Sequence, residues 1–295
     1  MELPRLITAL ITPFDSTLGL DLESFSSLIQ SQQQAGVRGL LIAGSTGEGL
    51  SLRIGEKKRL LTAAKEQANE NVALILGISS PSFVDALDQI ELAKECALDA
   101  VLVTPPFYVG ATQRGIIEYF RELAEQGLPI IVYHHPGRTG VFLEIETLEE
   151  IAKLEGIVGI KESSGELSYS EMVAKSVQCP VFCGNDELLF ESLQKGLYGS
   201  ISVVANAFPK IMCQIIAKAS KKEFQEAKEA FEMLKPVIEV LNIEVNPIAI
   251  KSLLQEMGAS ADFVRTPLIK MPFIKRDAVR KALDEANLDE LFETF

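Results

Sequence analysis

The chain has 295 residues, of which 47% are hydrophobic, and a formal net charge of −13. A chain of this length can bury a large core, whereas its negative charge, without a visible basic patch, argues against nucleic acid or an anionic membrane as a partner. The apolar stretches are too short to span a bilayer and the first residues lack the pattern of a secretory signal, so we expect a cytoplasmic protein with no membrane partner.

Eight apolar runs have the length and residue types of buried strands. In chain order they are residues 6–11, 39–43, 72–77, 100–103, 129–133, 157–161, 180–183 and 200–204. Helical spacing is found between them at residues 22–35, 56–68, 83–96, 113–125 and 187–193. Strict alternation of strand and helix predicts a parallel sheet, and eight such units fit an α/β fold of the closed (β/α)8 TIM-barrel type.

No strand pattern follows residue 210, and helical spacing returns at residues 224–241, 247–257 and 277–285. We therefore expect a catalytic barrel at residues 1–220 and a C-terminal helical extension at residues 221–295, packed on the barrel.

Cysteine and histidine placement predicts no metal site. Cys179 and Cys183 bracket a predicted strand without a second Cys/His pair nearby, and we expect them, with Cys96 and Cys213, to be reduced thiols. The two histidines, His134 and His135, are neighbours on a strand and should point to opposite faces, so they are poorly placed to share a metal.

Catalytic residues of such barrels lie where the strands end, and polar groups of this chain converge there. Lys161 is the most informative, because apolar surroundings disfavour its charged form and only a neutral amine is nucleophilic. Each polar group also has a simpler interpretation. Lys161 would solvate a loop, Tyr133 would be a barrel tyrosine with a satisfied hydroxyl, residues 44–49 would form a tight turn, and Arg138 would belong to a surface ion pair. Their convergence on one face favours an active site. The residues that carry this prediction are Ser45, Thr46, Tyr108, Tyr133, Arg138, Lys161, Gly184 and Ile201.

Several motifs together resemble the dihydrodipicolinate synthase and N-acetylneuraminate lyase family of pyruvate-using class I aldolases, over nearly the whole chain. They are Gly-Ser-Thr-Gly-Glu at residues 44–48, Tyr133, Pro-Gly-Arg-Thr-Gly at residues 136–140, Lys-Glu-Ser-Ser-Gly at residues 161–165, and Asn-Pro at residues 246–247. Arg138, in the Pro-Gly-Arg-Thr-Gly motif, resembles the synthase branch of the family.

The resemblance implies that Lys161 forms an imine with pyruvate, whose enamine then attacks aspartate 4-semialdehyde without any cofactor. Tyr133 would donate and accept protons, with Ser45 and Tyr108 as its relay. Tyr108 would reach into the site of a neighbouring subunit, which implies a homo-oligomer built as a dimer of dimers.

The resemblance also assigns the binding of the two substrates. Thr46 would hold the pyruvate carboxylate, Ile201 would contact pyruvate through its backbone, and Gly184 would line the same site. Arg138 would bind the carboxylate of aspartate 4-semialdehyde through two parallel hydrogen bonds, the geometry that a guanidinium favours.

Some positions depart from the family pattern. Ser45 stands where threonine is commoner, and the two histidines replace the more usual asparagine and apolar residue. Lysine-sensitive members use an asparagine, an acid and a tyrosine where this chain has Pro81, Asp85 and Phe107. We therefore expect weak or absent inhibition by lysine.

Two alternative functions stay open at this point. Another pyruvate-dependent aldolase, such as a 2-keto-3-deoxy sugar acid aldolase or an N-acetylneuraminate lyase-like enzyme, would share Lys161, Tyr133 and Thr46 and differ mainly around Arg138. A non-catalytic keto-acid-binding protein would keep the fold without turnover, since fold alone does not fix function.

Overall fold

The computed structural model describes residues 2–286 and contains a closed barrel of eight parallel strands. Each strand pairs with the next in the chain, and β8 closes the barrel against β1. The strands are β1 Leu6–Ala9, β2 Gly39–Ile42, β3 Ala73–Ile78, β4 Ala100–Val103, β5 Ile130–His134, β6 Ile157–Glu162, β7 Val181–Cys183 and β8 Gly199–Ser202. The predicted TIM barrel is confirmed.

Helices follow the strands and surround the barrel. They are α1 Leu22–Gln34, α2 Ile54–Gln67, α3 Phe83–Glu95, α4 Gln113–Ala124, α5 Pro136–Thr139, α6 Ile145–Ala152, α7 Leu167–Ser176, α8 Leu189–Gln194, α9 Pro209–Ser220, α10 Phe224–Leu241, α11 Ile248–Glu256 and α12 Phe273–Glu285. Residues 287–295 of the predicted extension lie outside the described part. Helix α12 begins before the predicted position at residue 277, and α5, α6, α7 and α9 were not individually predicted.

Polar caps fix the start of several barrel helices. The side chains of Asp21, Ser82 and Thr112 each accept a hydrogen bond from the backbone N–H three residues further along. Such caps satisfy N–H groups that have no partner inside the helix. The chain is thereby ordered at the barrel face where strands end and helices begin.

Side chains alternate between the inside and the outside of the barrel wall. On β5, Ile131 and Tyr133 pack in the barrel interior, whereas Ile130 and Val132 belong to the larger core between strands and helices. Because the side-chain period of a strand is two, neighbouring residues face opposite sides. This alternation decides which residues of β5 and β6 can reach a substrate.

A buried ion pair ties the C-terminal helices to the turn after β2. Lys251 on α11 is fully buried, and its Nζ lies 2.5 Å from Glu48 Oε1 and donates to the Phe263 carbonyl at 2.7 Å. Burial lowers the pKa of Lys251 to about 8. The Arg265 backbone N–H donates to the other Glu48 oxygen at 2.9 Å. The extension therefore holds the turn that carries Thr46.

Three further observations concern the predictions made from composition. All four cysteines are free thiols, and burial raises the pKa of Cys183 to about 12. Within residues 2–286, no helix has the length and apolarity needed to cross a membrane. No group of three or more His, Cys, Asp or Glu side chains in that range could hold a metal ion.

Candidate active site

Lys161 and Tyr133 form a pair inside the barrel. The register of β5 and β6 sets Tyr133 directly opposite Lys161. The Lys161 Nζ lies 4.5 Å from the centroid of the Tyr133 ring, and the two residues are only 4% and 6% exposed. The structure thus brings together an amine and a phenol in a largely dry setting, where electrostatic interactions are stronger than in water.

Gly184 leaves the space that the lysine occupies. It follows β7, and a Cβ atom at this position would overlap Ser163 Oγ and lie 2.7 Å from Lys161 Cε. A side chain here would displace the amine from Tyr133. Gly184 also lines the cleft above the lysine.

The cleft above the barrel has two lobes that share Tyr133, His135, Arg138 and Asn246. The first, which we name the lysine lobe, has a volume of about 460 Å³ and contains Lys161. The second, the serine lobe, has a volume of about 350 Å³ and contains the predicted relay residue Ser45. Two small substrates could therefore meet where the lobes join.

Asn246 connects two of the predicted binding residues. Its Nδ2 donates to Thr46 Oγ1 at 3.0 Å, and its backbone carbonyl accepts from Arg138 Nη2 at 3.2 Å. Thr46 is buried in the lysine lobe, whereas Arg138 is exposed and borders both lobes. Sequence reasoning used Asn246 only as part of a motif and missed its position in the site.

Within one chain, Tyr108 and Ile201 line neither lobe of the cleft. Tyr108 is 97% exposed and lines neither lobe. Ile201 is fully buried in the barrel interior, and Val203, not Ile201, lines the lysine lobe. A role of Tyr108 in a neighbouring subunit and a backbone contact of Ile201 stay predictions.

An aspartate missed as a site residue also lines the lysine lobe. Asp186 Oδ2 accepts hydrogen bonds from the backbone N–H groups of Val203 and Val204 at 2.8 and 2.9 Å. Burial raises the pKa of this carboxyl above its usual value. Asp186 therefore fixes the end of β8 against the loop after β7, close to the lysine.

Behind the lysine and the tyrosine, on the outer side of the wall, His134 lies opposite Glu162. His134 Nε2 accepts from the Leu143 N–H at 3.3 Å, so Nδ1 carries the proton and lies 3.4 Å from Glu162 Oε1. The carboxylate also accepts hydrogen bonds from the Ser170 hydroxyl and the Ser164 N–H. Burial alone would raise the pKa of Glu162, but these hydrogen bonds lower it below its usual value.

The three positions that the family resemblance links to lysine sensitivity lie at different places near α3. Phe107 lines the serine lobe, and Pro81 borders a separate surface groove. Asp85 Oδ2 accepts from Gln89 Nε2 at 2.8 Å, and Gln89 Oε1 accepts from Lys57 Nζ at 2.6 Å. The Asp85 carboxylate is thus already engaged by side chains of the protein.

Known proteins resemble this chain over nearly its whole length. A 4-hydroxy-tetrahydrodipicolinate synthase of an Exiguobacterium species is 34% identical over 283 residues, which cover 95% of this chain and 97% of that protein. The synthase of Pelagibacter ubique is 35% identical, with 95% and 97% covered. Dihydrodipicolinate synthase from Thermotoga maritima superimposes with a TM-score of 0.93 at 32% identity, covering 96% and 98%.

A second solved structure is that of the Acinetobacter baumannii dihydrodipicolinate synthase in complex with pyruvate. It has a TM-score of 0.93 at 32% identity and covers 95% of this chain and 98% of that one. The family model described as "Dihydrodipicolinate synthetase family" matches residues 2–286. The chain therefore belongs to the dihydrodipicolinate synthetase family.

Proposed function

We propose that this protein is a 4-hydroxy-tetrahydrodipicolinate synthase, a lyase that condenses pyruvate with aspartate 4-semialdehyde through a Schiff base on Lys161. The observation that carries the proposal is the Lys161 amine held 4.5 Å from the Tyr133 ring centroid, in a cleft that an arginine borders. Relatives at 31–35% identity bear the name of this enzyme.

The first half of the reaction uses pyruvate alone. The neutral Lys161 amine adds to the ketone carbon of pyruvate, and loss of water leaves an imine. Removal of a proton from the former methyl group gives an enamine, and the imine nitrogen supplies the electron sink. Thr46 would hold the pyruvate carboxylate, since its hydroxyl is fixed by Asn246 inside the lysine lobe.

Each of these steps moves a proton, and Tyr133 is the proton donor and acceptor in this proposal. Its ring lies beside the amine, and it borders the serine lobe together with Ser45. Ser45 and the Tyr108 of a neighbouring subunit would pass protons to solvent. General acid–base catalysis of this kind contributes roughly 10²- to 10⁴-fold to a rate.

The second half joins the enamine carbon to the aldehyde carbon. The amino group of the former aspartate 4-semialdehyde then adds to the imine carbon, which closes the ring, and the Lys161 amine leaves with its proton restored. Arg138 would bind the carboxylate of the aldehyde substrate, because its guanidinium borders both lobes and is tied to the site by Asn246.

Steady-state rates with Arg138→Leu test the choice of substrate. We expect the KM for aspartate 4-semialdehyde to rise by about tenfold or more, since a bidentate charged contact is lost, while the pyruvate adduct still forms. Arg114→Leu, on the exposed side of α4, is the matched control and should change neither KM.

Other outcomes would favour the alternatives. Cleavage of 2-keto-3-deoxygluconate without turnover of aspartate 4-semialdehyde would identify another pyruvate-dependent aldolase. Absence of both turnover and pyruvate adduct would identify a non-catalytic keto-acid-binding protein.

We also propose a homotetramer, arranged as a dimer of dimers, that works in the cytoplasm. Tyr108 is almost fully exposed in one chain, as expected of a residue that completes a neighbouring site. The free thiols suit a reducing compartment. Sedimentation at micromolar concentration tests the assembly: a monomer with full activity would contradict it.

A further inference from the structure

His135 is a polar residue at the junction of the two lobes that the reaction described above does not use. It follows β5 directly, and its half-buried ring borders both lobes together with Tyr133 and Arg138. Its ring centroid lies 5.7 Å from that of Tyr133, in an edge-on arrangement. The imidazole thus lies near the reacting amine and phenol and also near the predicted carboxylate-binding arginine.

The His135 imidazole packs against its surroundings, but one of its ring nitrogens finds no hydrogen-bond partner among residues 2–286. Its Nδ1 is buried without a hydrogen-bond partner among the described residues. A Cβ atom at Gly137 would lie 3.6 Å from the ring, an ordinary van der Waals distance, so the backbone after β5 packs beside the imidazole. A buried nitrogen that lacks a partner costs free energy unless a ligand or a water supplies one.

Burial, together with the positive charges around it, keeps the His135 ring neutral. Burial, and next the positive charges of Arg138 and Lys161, lower the pKa of His135 to about 4. At neutral pH the ring therefore offers one N–H donor and one acceptor nitrogen, not a second positive charge. Such a group suits a neutral carbonyl or hydroxyl of a substrate better than a carboxylate.

We propose that His135 is a specificity-determining residue that hydrogen-bonds the carbonyl end of the second substrate, an aldehyde whose carboxylate lies on Arg138. This inference rests on the proposed function, because it assumes that an aldehyde enters after pyruvate has bound to Lys161. Arg138 then binds the carboxylate of the aldehyde substrate and His135 binds its carbonyl oxygen. The aldehyde carbon faces the lysine lobe.

Its neighbour His134 shows what a purely structural histidine looks like in this chain. His134 has no exposed surface, and its ring nitrogens face the Leu143 N–H and the Glu162 carboxylate. The Nδ1 atoms of both histidines are buried without a hydrogen-bond partner within the described residues, so the difference between the two lies in their position. His135 borders both lobes of the cleft and His134 borders neither, so only the His135 ring can meet a molecule bound there.

The most direct test is NMR of the full chain labelled on histidine, since only two histidines are present. Pyruvate is added to saturation, and succinic semialdehyde, which has the carboxylate and the aldehyde but no amino group, is added next. We expect the signals of His135, assigned with His135→Asn, to shift on the second addition, while those of His134 stay in place as an internal control.

Kinetics give an independent test. His135→Leu removes both hydrogen-bonding groups, and we expect the KM for aspartate 4-semialdehyde to rise by about tenfold, the usual scale of one lost hydrogen bond, with little change in the KM for pyruvate. His135→Asn keeps a donor and an acceptor and should recover part of the loss.

The proposal would be overturned by an unshifted His135 signal, by a shift that pyruvate alone completes, or by equal changes in both KM values. A failed pyruvate adduct or the absence of turnover in the unsubstituted chain would instead contradict the proposed function. If the unsubstituted chain shows no turnover, the NMR shift with succinic semialdehyde by itself decides whether His135 binds an aldehyde.

Discussion

The two faces of the β5–β6 wall carry opposite kinds of polar pairs at adjacent positions. On the inner face, Tyr133 lies opposite Lys161, and neither polar group has a hydrogen-bond partner within the described residues. On the outer face, one residue further along, His134 lies opposite Glu162 in a buried network. A step of one residue along each strand therefore separates the side chains that a substrate can reach from the side chains that stabilise the wall.

The difference shows how the chain keeps a reactive pair in place. The carboxylate of Glu162 is fixed to α7 through Ser170 and to the loop after β6 through the Ser164 N–H. Because Lys161 and Glu162 are consecutive, ordering the outer residue also orders the inner one. Buried polar groups with satisfied hydrogen bonds make a local structure rigid, whereas unsatisfied ones are open to a ligand.

The largest expected effect comes from removing one hydroxyl on the inner face. Tyr133→Phe should lower kcat roughly 10²-fold or more, because the proposed proton donor is lost, while the free energy of unfolding changes little. Tyr169→Phe is the matched control on the outer face, where the hydroxyl donates to the Leu143 carbonyl at 2.5 Å. It should cost about 1 kcal/mol in urea unfolding and leave kcat nearly unchanged.

The next effect should appear on the outer face. Glu162→Gln places an amide where several donors converge, and we expect a loss of about 1–3 kcal/mol in the free energy of unfolding, because buried donors lose a charged acceptor. Urea denaturation at neutral pH measures it. An unchanged midpoint would mean that the network does not stabilise the wall.

The same substitution has a defined pH dependence. The pKa of Glu162 in the folded protein is lowered from its ordinary value of 4.5. The carboxylate therefore contributes stability above about pH 4.5, and this contribution is lost as the pH falls through the lower folded value. The difference in unfolding free energy between the native chain and Glu162→Gln should shrink on acidification; a difference that grows would contradict the assignment.

The smallest expected effect is the response to lysine. One oxygen of the exposed Asp85 carboxylate accepts from Gln89, which is itself bound to Lys57. Because Pro81 and Phe107 stand where the family resemblance places an asparagine and a tyrosine in lysine-sensitive members, lysine at submillimolar concentration should inhibit turnover weakly or not at all. An inhibition curve with half effect in that range would show that this network opens to a ligand.

The barrel and the neighbouring positions of Lys161 and Tyr133 could be predicted from the sequence because both depend on local patterns. Strands buried on both faces are continuous apolar runs, and Tyr133 and Lys161 each lie one residue before the end of consecutive strands, which are neighbours in a closed barrel. Strand alternation predicts the outward orientation of His134, the last residue of β5, whereas His135, predicted to lie on the same strand, instead caps α5.

The rest of the site depends on contacts that no local pattern contains. The pairing of His134 with Glu162 needs the register of β5 and β6, which shifts between Ile130 and Ile131. Asn246 reaches Thr46 from 200 residues away in sequence. Helix α5, Pro136–Thr139, has only four residues and is too short to show a helical period.

The intact mass of the protein after incubation with pyruvate and borohydride, with Lys161→Ala as the control, tests for a Schiff base at Lys161. We expect a single reduced pyruvate adduct on the native chain and none on the control, although the buried amine of Lys251 is still present. No adduct on the native chain, or an adduct that persists in Lys161→Ala, would contradict Schiff-base chemistry at Lys161.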